Sequence, residues 1–183
     1  MSQIQAETIA GVGLITLNRP EALNALTLQM VNRLSAVLSE WRDDPSIEAV
    51  AIRGNNKQGP FGAFCAGGDI RFFHDAAITK DPSLEQFFTA EYRLNHLIDN
   101  YPKPYIAFMD GVVMGGGMGL SQGANLRIVS ERTKMAMPET KIGLFPDVGG
   151  GYFLSRCPGA SGEYLALSGQ MLTGDEALAV GLA

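Results

Sequence analysis

Two glycine triplets, at 115–117 and 149–151, bracket a stretch that holds two acids among apolar neighbours, Glu139 and Asp147. That stretch limits what the chain can become. Glycine lets backbone N–H groups approach a ligand or another segment closely. A carboxylate among Met, Pro, Ile, Leu and Phe costs stability unless it has a partner or a task. The pattern predicts main-chain donors from the first triplet and acid–base chemistry from the two acids. Each acid follows a proline, Pro138 or Pro146, which stiffens the chain entering it. An aspartate before a glycine-rich helix start is also a common cap, so Asp147 has a structural reading. Glu139 has no obvious capping role and is the stronger candidate for a general base or nucleophile.

Around this stretch, strand and helix patterns alternate. Branched and aromatic runs predict strands at 12–17, 49–52, 105–109, 126–129 and 134–137. Thr27 is a candidate N-cap for a helix to about Arg42, with Met30, Leu34, Val37, Leu38 and Trp41 on one face. A second helix is expected from Asp69. A third, opened by a Ser83/Gln86 capping box, runs to about Ile98. The triplet at 115–117 turns the chain into a short helix. Helical pieces follow at 152–156 and 163–168, then a second capping box at Thr173 and Glu176. The alternation implies an α/β fold with largely parallel strands.

The 183 residues suit one domain, and the net charge of -5 argues against a non-specific nucleic-acid binder, which needs a basic face. Cys65 and Cys157 stand far apart without a C-x-x-C, so neither a disulfide framework nor a metal site is expected. The first residues show neither a basic start nor a long apolar run. A cytoplasmic protein without a membrane segment is the default expectation. The helical pattern near Asp175 reaches a turn or two before Ala183, which reads as truncation.

Several motifs fail on mechanism. The glycine loops, Phe64-Cys65-Ala66-Gly67-Gly68-Asp69 and Met114-Gly115-Gly116-Gly117, lack the third glycine of a dinucleotide fingerprint, and there is no P-loop. Gly119-Leu120-Ser121-Gln122-Gly123 matches the nucleophile elbow, but the turn falls before Ser121 and both histidines, His74 and His96, come earlier in the chain. Cys65 could be a nucleophile near a helix start, or simply packing. His74 and His96 have no metal-ligand spacing and read as surface or helix-face residues. What remains is a pair of glycine loops, each between a strand and a helix, whose N–H groups aimed at one point would make an oxyanion hole.

The same residues carry a resemblance. Asn18-Arg19-Pro20 with Asn24-Ala25-Leu26, the two glycine loops with Asp69-Ile70, and Met137-Pro138-Glu139 together resemble the enoyl-CoA hydratase/isomerase (crotonase) superfamily. Within it, the run at 136–153 (AMPETKIGLFPDVGGGYF) is most similar to the 3-hydroxyisobutyryl-CoA hydrolases. The resemblance implies a crotonase-like (ClpP/crotonase) spiral of β-β-α units, with 1–183 as an N-terminal core that lacks a C-terminal helical region. It implies an acyl-CoA thioester hydrolase whose CoA belongs to the substrate, with no further cofactor, no metal, and a possible homo-oligomer. By resemblance, the N–H groups of Gly68 and Gly116 hold the thioester oxygen, and Ala66 lies near the CoA adenine. Glu139 and Asp147 carry the chemistry, and Glu91 stands at the substrate. Without the resemblance, Glu91 reads as a solvated helix residue. Gly119 occupies the position where hydratases of the superfamily carry a second glutamate. The alternatives are a hydratase or isomerase with unusual acids, and an inactive acyl-CoA-binding or assembly module. Arg71 and Lys57 are either CoA-phosphate contacts or solvated cations.

Overall fold

The computed structural model describes residues 2–55 and 62–183. Lys57 lies outside the described residues.

The chain opens with a hairpin. Strand β1 (Ile4–Ile9) pairs antiparallel with β2 (Val12–Leu17) across Ala10 and Gly11, both at positive φ, as a two-residue hairpin turn requires. Helix α1 (Leu28–Asp43) follows, and its first turn is capped as expected: the Thr27 hydroxyl accepts from the Met30 N–H at 3.2 Å. Met30, Leu34, Val37, Leu38 and Trp41 turn inward, joined by Val31. Each fully buried aliphatic among them contributes on the order of 1.5–3 kcal/mol. Gly13 of β2 lies directly under the Trp41 ring, where a β-carbon would collide.

The rest of the chain winds through successive β-β-α turns, each giving one strand to each of two sheets. Strands β3 (Ala49–Gly54), β5 (Tyr105–Met109) and β7 (Leu126–Val129) join the larger sheet, ordered β1-β2-β3-β5-β7. Their immediate successors, β4 (Ala63–Cys65), β6 (Val112–Met114) and β8 (Lys134–Ala136), build the smaller sheet, ordered β4-β6-β8-β9, with β9 at Leu172–Thr173. Every pair except β1–β2 and β8–β9 is parallel. Helices α2 (Ile70–Thr79) and α3 (Ser83–Asp99) follow β4, and α4 (Gly116–Ser121) follows β6. Helices α5 (Gly150–Leu154), α6 (Ser161–Ser168) and α7 (Gly174–Ala179) complete the described chain, the last opened by the expected Thr173/Glu176 capping box.

The differences from the sequence reading have local causes. Strands β1, β4, β6 and β9 escape the pattern. Only Ile4 of β1 is buried, while β4, β6 and β9 are too short to show a period. The capping box at Ser83 is not formed. Pro82 is the N-cap, and it is the Asp81 carboxylate that accepts from the Ser83 N–H at 2.8 Å.

Candidate active site

Two strand-to-helix loops from the smaller sheet meet. The first leaves β4 and enters α2, where Asp69 caps the helix by accepting from the N–H groups of Arg71 and Phe72. Its second oxygen is held by Arg19 at 2.7 Å. The second leaves β6 through Gly115 into α4. The loops abut so closely that a β-carbon on Gly117 would strike the Cys65 carbonyl oxygen, and one on Gly116 would come within 3.5 Å of the Gly68 nitrogen. Neither Gly68 nor Gly116 donates its N–H to an acceptor among the described residues. Two unspent main-chain donors lie side by side, and such donors stabilise a developing oxyanion where they point at one atom.

Three carboxylates converge on these loops. Glu139 opens a single 3-10 turn (Glu139–Ile142) after Pro138, and its Oε1 stands where a β-carbon on Gly115 would approach to 2.7 Å. Gly115 sits at φ +48, so the tight approach and the left-handed backbone both call for glycine. Glu91 lies on the buried face of α3 with Phe87, Leu94 and Ile98, and its Oε1 blocks the space a Gly116 side chain would need. Asp147 accepts from the Tyr92 hydroxyl at 2.6 Å. Asp147 is not the side-chain cap of α5. That N-cap is Gly149, and no side chain caps the helix.

Ala66, Gly68, Glu91, Gly116, Glu139 and Asp147, the six positions singled out in the sequence, line one cavity of about 70 Å³. Its apolar wall comes from Ile70, Phe73, Phe88, Ile142 and Leu144. A larger cleft of about 660 Å³ adjoins it between α3, α4 and the 145–153 segment, and Asp147 borders both.

Burial dominates the electrostatics. Glu91 is 2% exposed, and desolvation, reinforced by the nearby charges of Asp147 and Glu139, pushes its carboxyl up to about 8. Burial likewise pushes Glu139 up to about 7, opposed by its hydrogen bond with its own backbone. Glu91 Oε1 and Glu139 Oε2 have no hydrogen-bond partner among the described residues. Buried oxygens left unpaired are costly, and sites with a ligand or water to receive are where that cost is tolerated.

The other candidates resolve structurally. Ser121 is the last residue of α4, fully buried, and its hydroxyl donates to the Gly117 carbonyl at 3.0 Å, which is no nucleophile geometry. Burial pushes the Cys65 thiol up to about 12, so it packs rather than attacks. His74 is exposed beside Asp75, and His96 is an exposed residue of α3. Arg71 is exposed on the first turn of α2. Glu91 was the residue composition could not find, yet a signal existed. It falls four residues after Phe87 and three before Leu94, on the apolar stripe of α3, and a charge on that stripe is a candidate site.

The family described as Enoyl-CoA hydratase/isomerase matches residues 12–183. The chain is 52% identical over 171 residues to a 3-hydroxyisobutyryl-CoA hydrolase, mitochondrial, of Xenopus tropicalis, covering 93% of this chain and 43% of the relative. It is 47% identical over 182 residues to the Danio rerio protein of the same name, covering 100% of this chain and 47% of the relative. The chain thus spans less than half the length of these curated relatives. Among solved structures, a carnitinyl-CoA dehydratase from Mycobacterium thermoresistibile superposes with a TM-score of 0.95 at 44% identity, covering 100% of this chain and 53% of that one. No helix among the described residues is long and apolar enough to cross a membrane.

Proposed function

The chain belongs to the enoyl-CoA hydratase/isomerase family, and on that premise we propose that it hydrolyses a short branched β-hydroxyacyl-CoA thioester, of the 3-hydroxyisobutyryl-CoA type, to free CoA and the hydroxy acid. The observation that carries this reading is the convergence of Glu139, Asp147 and Glu91 on the free N–H groups of Gly68 and Gly116 in one small cavity. In this mechanism the thioester oxygen accepts from both N–H groups as it gains charge. Glu139 acts on the carbonyl carbon, either as a nucleophile giving a mixed anhydride that water then opens, or by taking a proton from the attacking water. The carbon–sulfur bond breaks, CoA leaves as the thiolate, and the proton released by the attacking water ends on its sulfur. Asp147 handles the matching proton and meets the substrate hydroxyl. The cavity's size and its Phe73, Phe88 and Leu144 wall favour a short acyl group.

A hydratase or dehydratase reading is the second one, favoured by the name of the Mycobacterium relative. Against it stands Gly119, which supplies no second acid opposite Glu139. Assaying thiol release and loss of enoyl absorbance in parallel, over a panel of acyl-CoA thioesters, separates the two. Thiol release without enoyl consumption supports hydrolysis, and the reverse overturns it. The inactive binding module is tested in the same panel by titrating CoA calorimetrically.

Three finer points belong to the same proposal. Ala66 lies near the adenine of the bound CoA. A homo-oligomer is supported by the exposed apolar side chains of Phe108 on β5 and its pair-mate Ile128 on β7, and is tested by sedimentation. The vertebrate relatives are named mitochondrial, which runs against a strictly cytoplasmic location and is tested by cell fractionation.

A further inference from the structure

Asp147 is half-buried on a loop whose backbone is held by the buried Val148 and by the Gly150 N–H, which donates to the Asp147 carbonyl at 2.6 Å, but its side chain has little to hold it. Phe145, two residues before, is 69% exposed, and the next two residues, Val148 and Gly149, both have positive φ. Its side chain caps no helix. Among the described residues, the only hydrogen bond to its carboxylate comes from the Tyr92 hydroxyl, at 2.6 Å to Oδ2. Oδ1 has no hydrogen-bond partner among the described residues. Tyr92 follows Glu91 in α3, so one helix sends a buried acid into the cavity and, from the next position, a phenol to the loop acid beside it. The Tyr92 ring packs against Phe88, one turn earlier, at 6.0 Å between centroids, and Phe88 itself lines the cavity. The phenol is thus aimed from a rigid element at a group on a loop.

We infer that Tyr92 is a positioning residue for this reaction: its hydroxyl commits one oxygen of Asp147 and so sets the other for the substrate. The inference rests on the hydrolase reading above. A carboxylate free to rotate spends much of its time away from the productive geometry, and small misplacements of a reacting group are costly in rate. Burial and the Asp147 hydrogen bond both hold the phenol above its ordinary value, so it stays a donor at any working pH. A merely structural surface pair would also show this bond, but its loss would leave turnover alone.

The test is Tyr92→Phe, which keeps the ring and its packing and deletes only the hydroxyl. Steady-state thiol release should show kcat down by about 10- to 100-fold with KM within about threefold of wild type. The same substitution in an Asp147→Asn background should cost no further rate, because the group it positions is already disabled. A wild-type kcat in Tyr92→Phe, with the wild-type protein active, overturns this inference alone. Full additivity in the double variant does the same. A wild-type protein that releases no thiol from any acyl-CoA overturns the hydrolase reading, and this inference falls with it.

Discussion

Val148 fills the space beside Gly119: a β-carbon at position 119 would stand 2.8 Å from Val148 Cβ and 2.8 Å from Asn95 Nδ2. The residue next to Asp147 therefore closes the position that, by the resemblance drawn from the sequence, corresponds to the second glutamate of a hydratase. The absent acid and the present aspartate belong to one packing arrangement.

Gly119→Glu should consequently fail to create a hydratase. Forcing a side chain against Asn95 and Val148 is expected to cost about 1–3 kcal/mol of stability. Thermal melts should show the loss, and loss of enoyl absorbance should stay at background. Gain of hydratase activity in a fully stable variant would refute the packing argument.

Glu139→Gln and Asp147→Asn should each remove thiol release by about 10³-fold or more while circular dichroism stays native. In the proposed mechanism Glu139 must be ionised to attack or to accept a proton, and burial holds its carboxyl up at about 7. Thiol release by the wild-type protein should therefore rise as pH increases through about 7, not fall.

Glu91→Gln should stabilise the protein at high pH. Burial raises this carboxyl to about 8 in the fold from an unfolded value of 4.5. The folded state thus binds more protons than the unfolded state between these values, and stability falls as pH rises through that window. The glutamine variant removes the loss, by on the order of 2–5 kcal/mol at pH 9 and nearly nothing at pH 4. Denaturant melts at the two pH values would show it, and equal differences at both would contradict the assignment.

Gly116→Ala should damage the site directly, because the added methyl enters the space of Glu91 Oε1 and presses on Leu26. A displaced N–H is expected to cost about 10²-fold in kcat/KM. Steady-state kinetics at unchanged circular dichroism would check it.

Cys65→Ala should keep turnover within about threefold of wild type. The buried thiol should react with alkylating reagents only after unfolding, because its thiolate is disfavoured. Rapid labelling of native Cys65 with loss of activity would reverse that reading.

Much of this was legible along the chain, because it depends on neighbours in sequence. Thr27, Asp69 and Thr173 mark helix starts by chemistry that acts over three residues, and α1 shows its buried face by period alone. The glycine loops and the Pro-Glu motif likewise announce close backbone approach and a stiffened acid wherever they end up. The sequence misled at Ser83, where the competing Asp81 side chain takes the N–H, and it hid the short strands β4, β6 and β9, which exist only because a partner strand runs beside them. What only the tertiary structure decided is which groups face one another. Glu91 and Asp147 are 56 positions apart in the numbering, yet share a cavity, and Gly68 meets Gly116 because β4 and β6 are parallel neighbours whose loops leave from the same end. Local propensity can place a carboxylate on a helix face. Only the sheet order settles what that face is pressed against, and with it whether the acid is solvated and inert or buried and reactive.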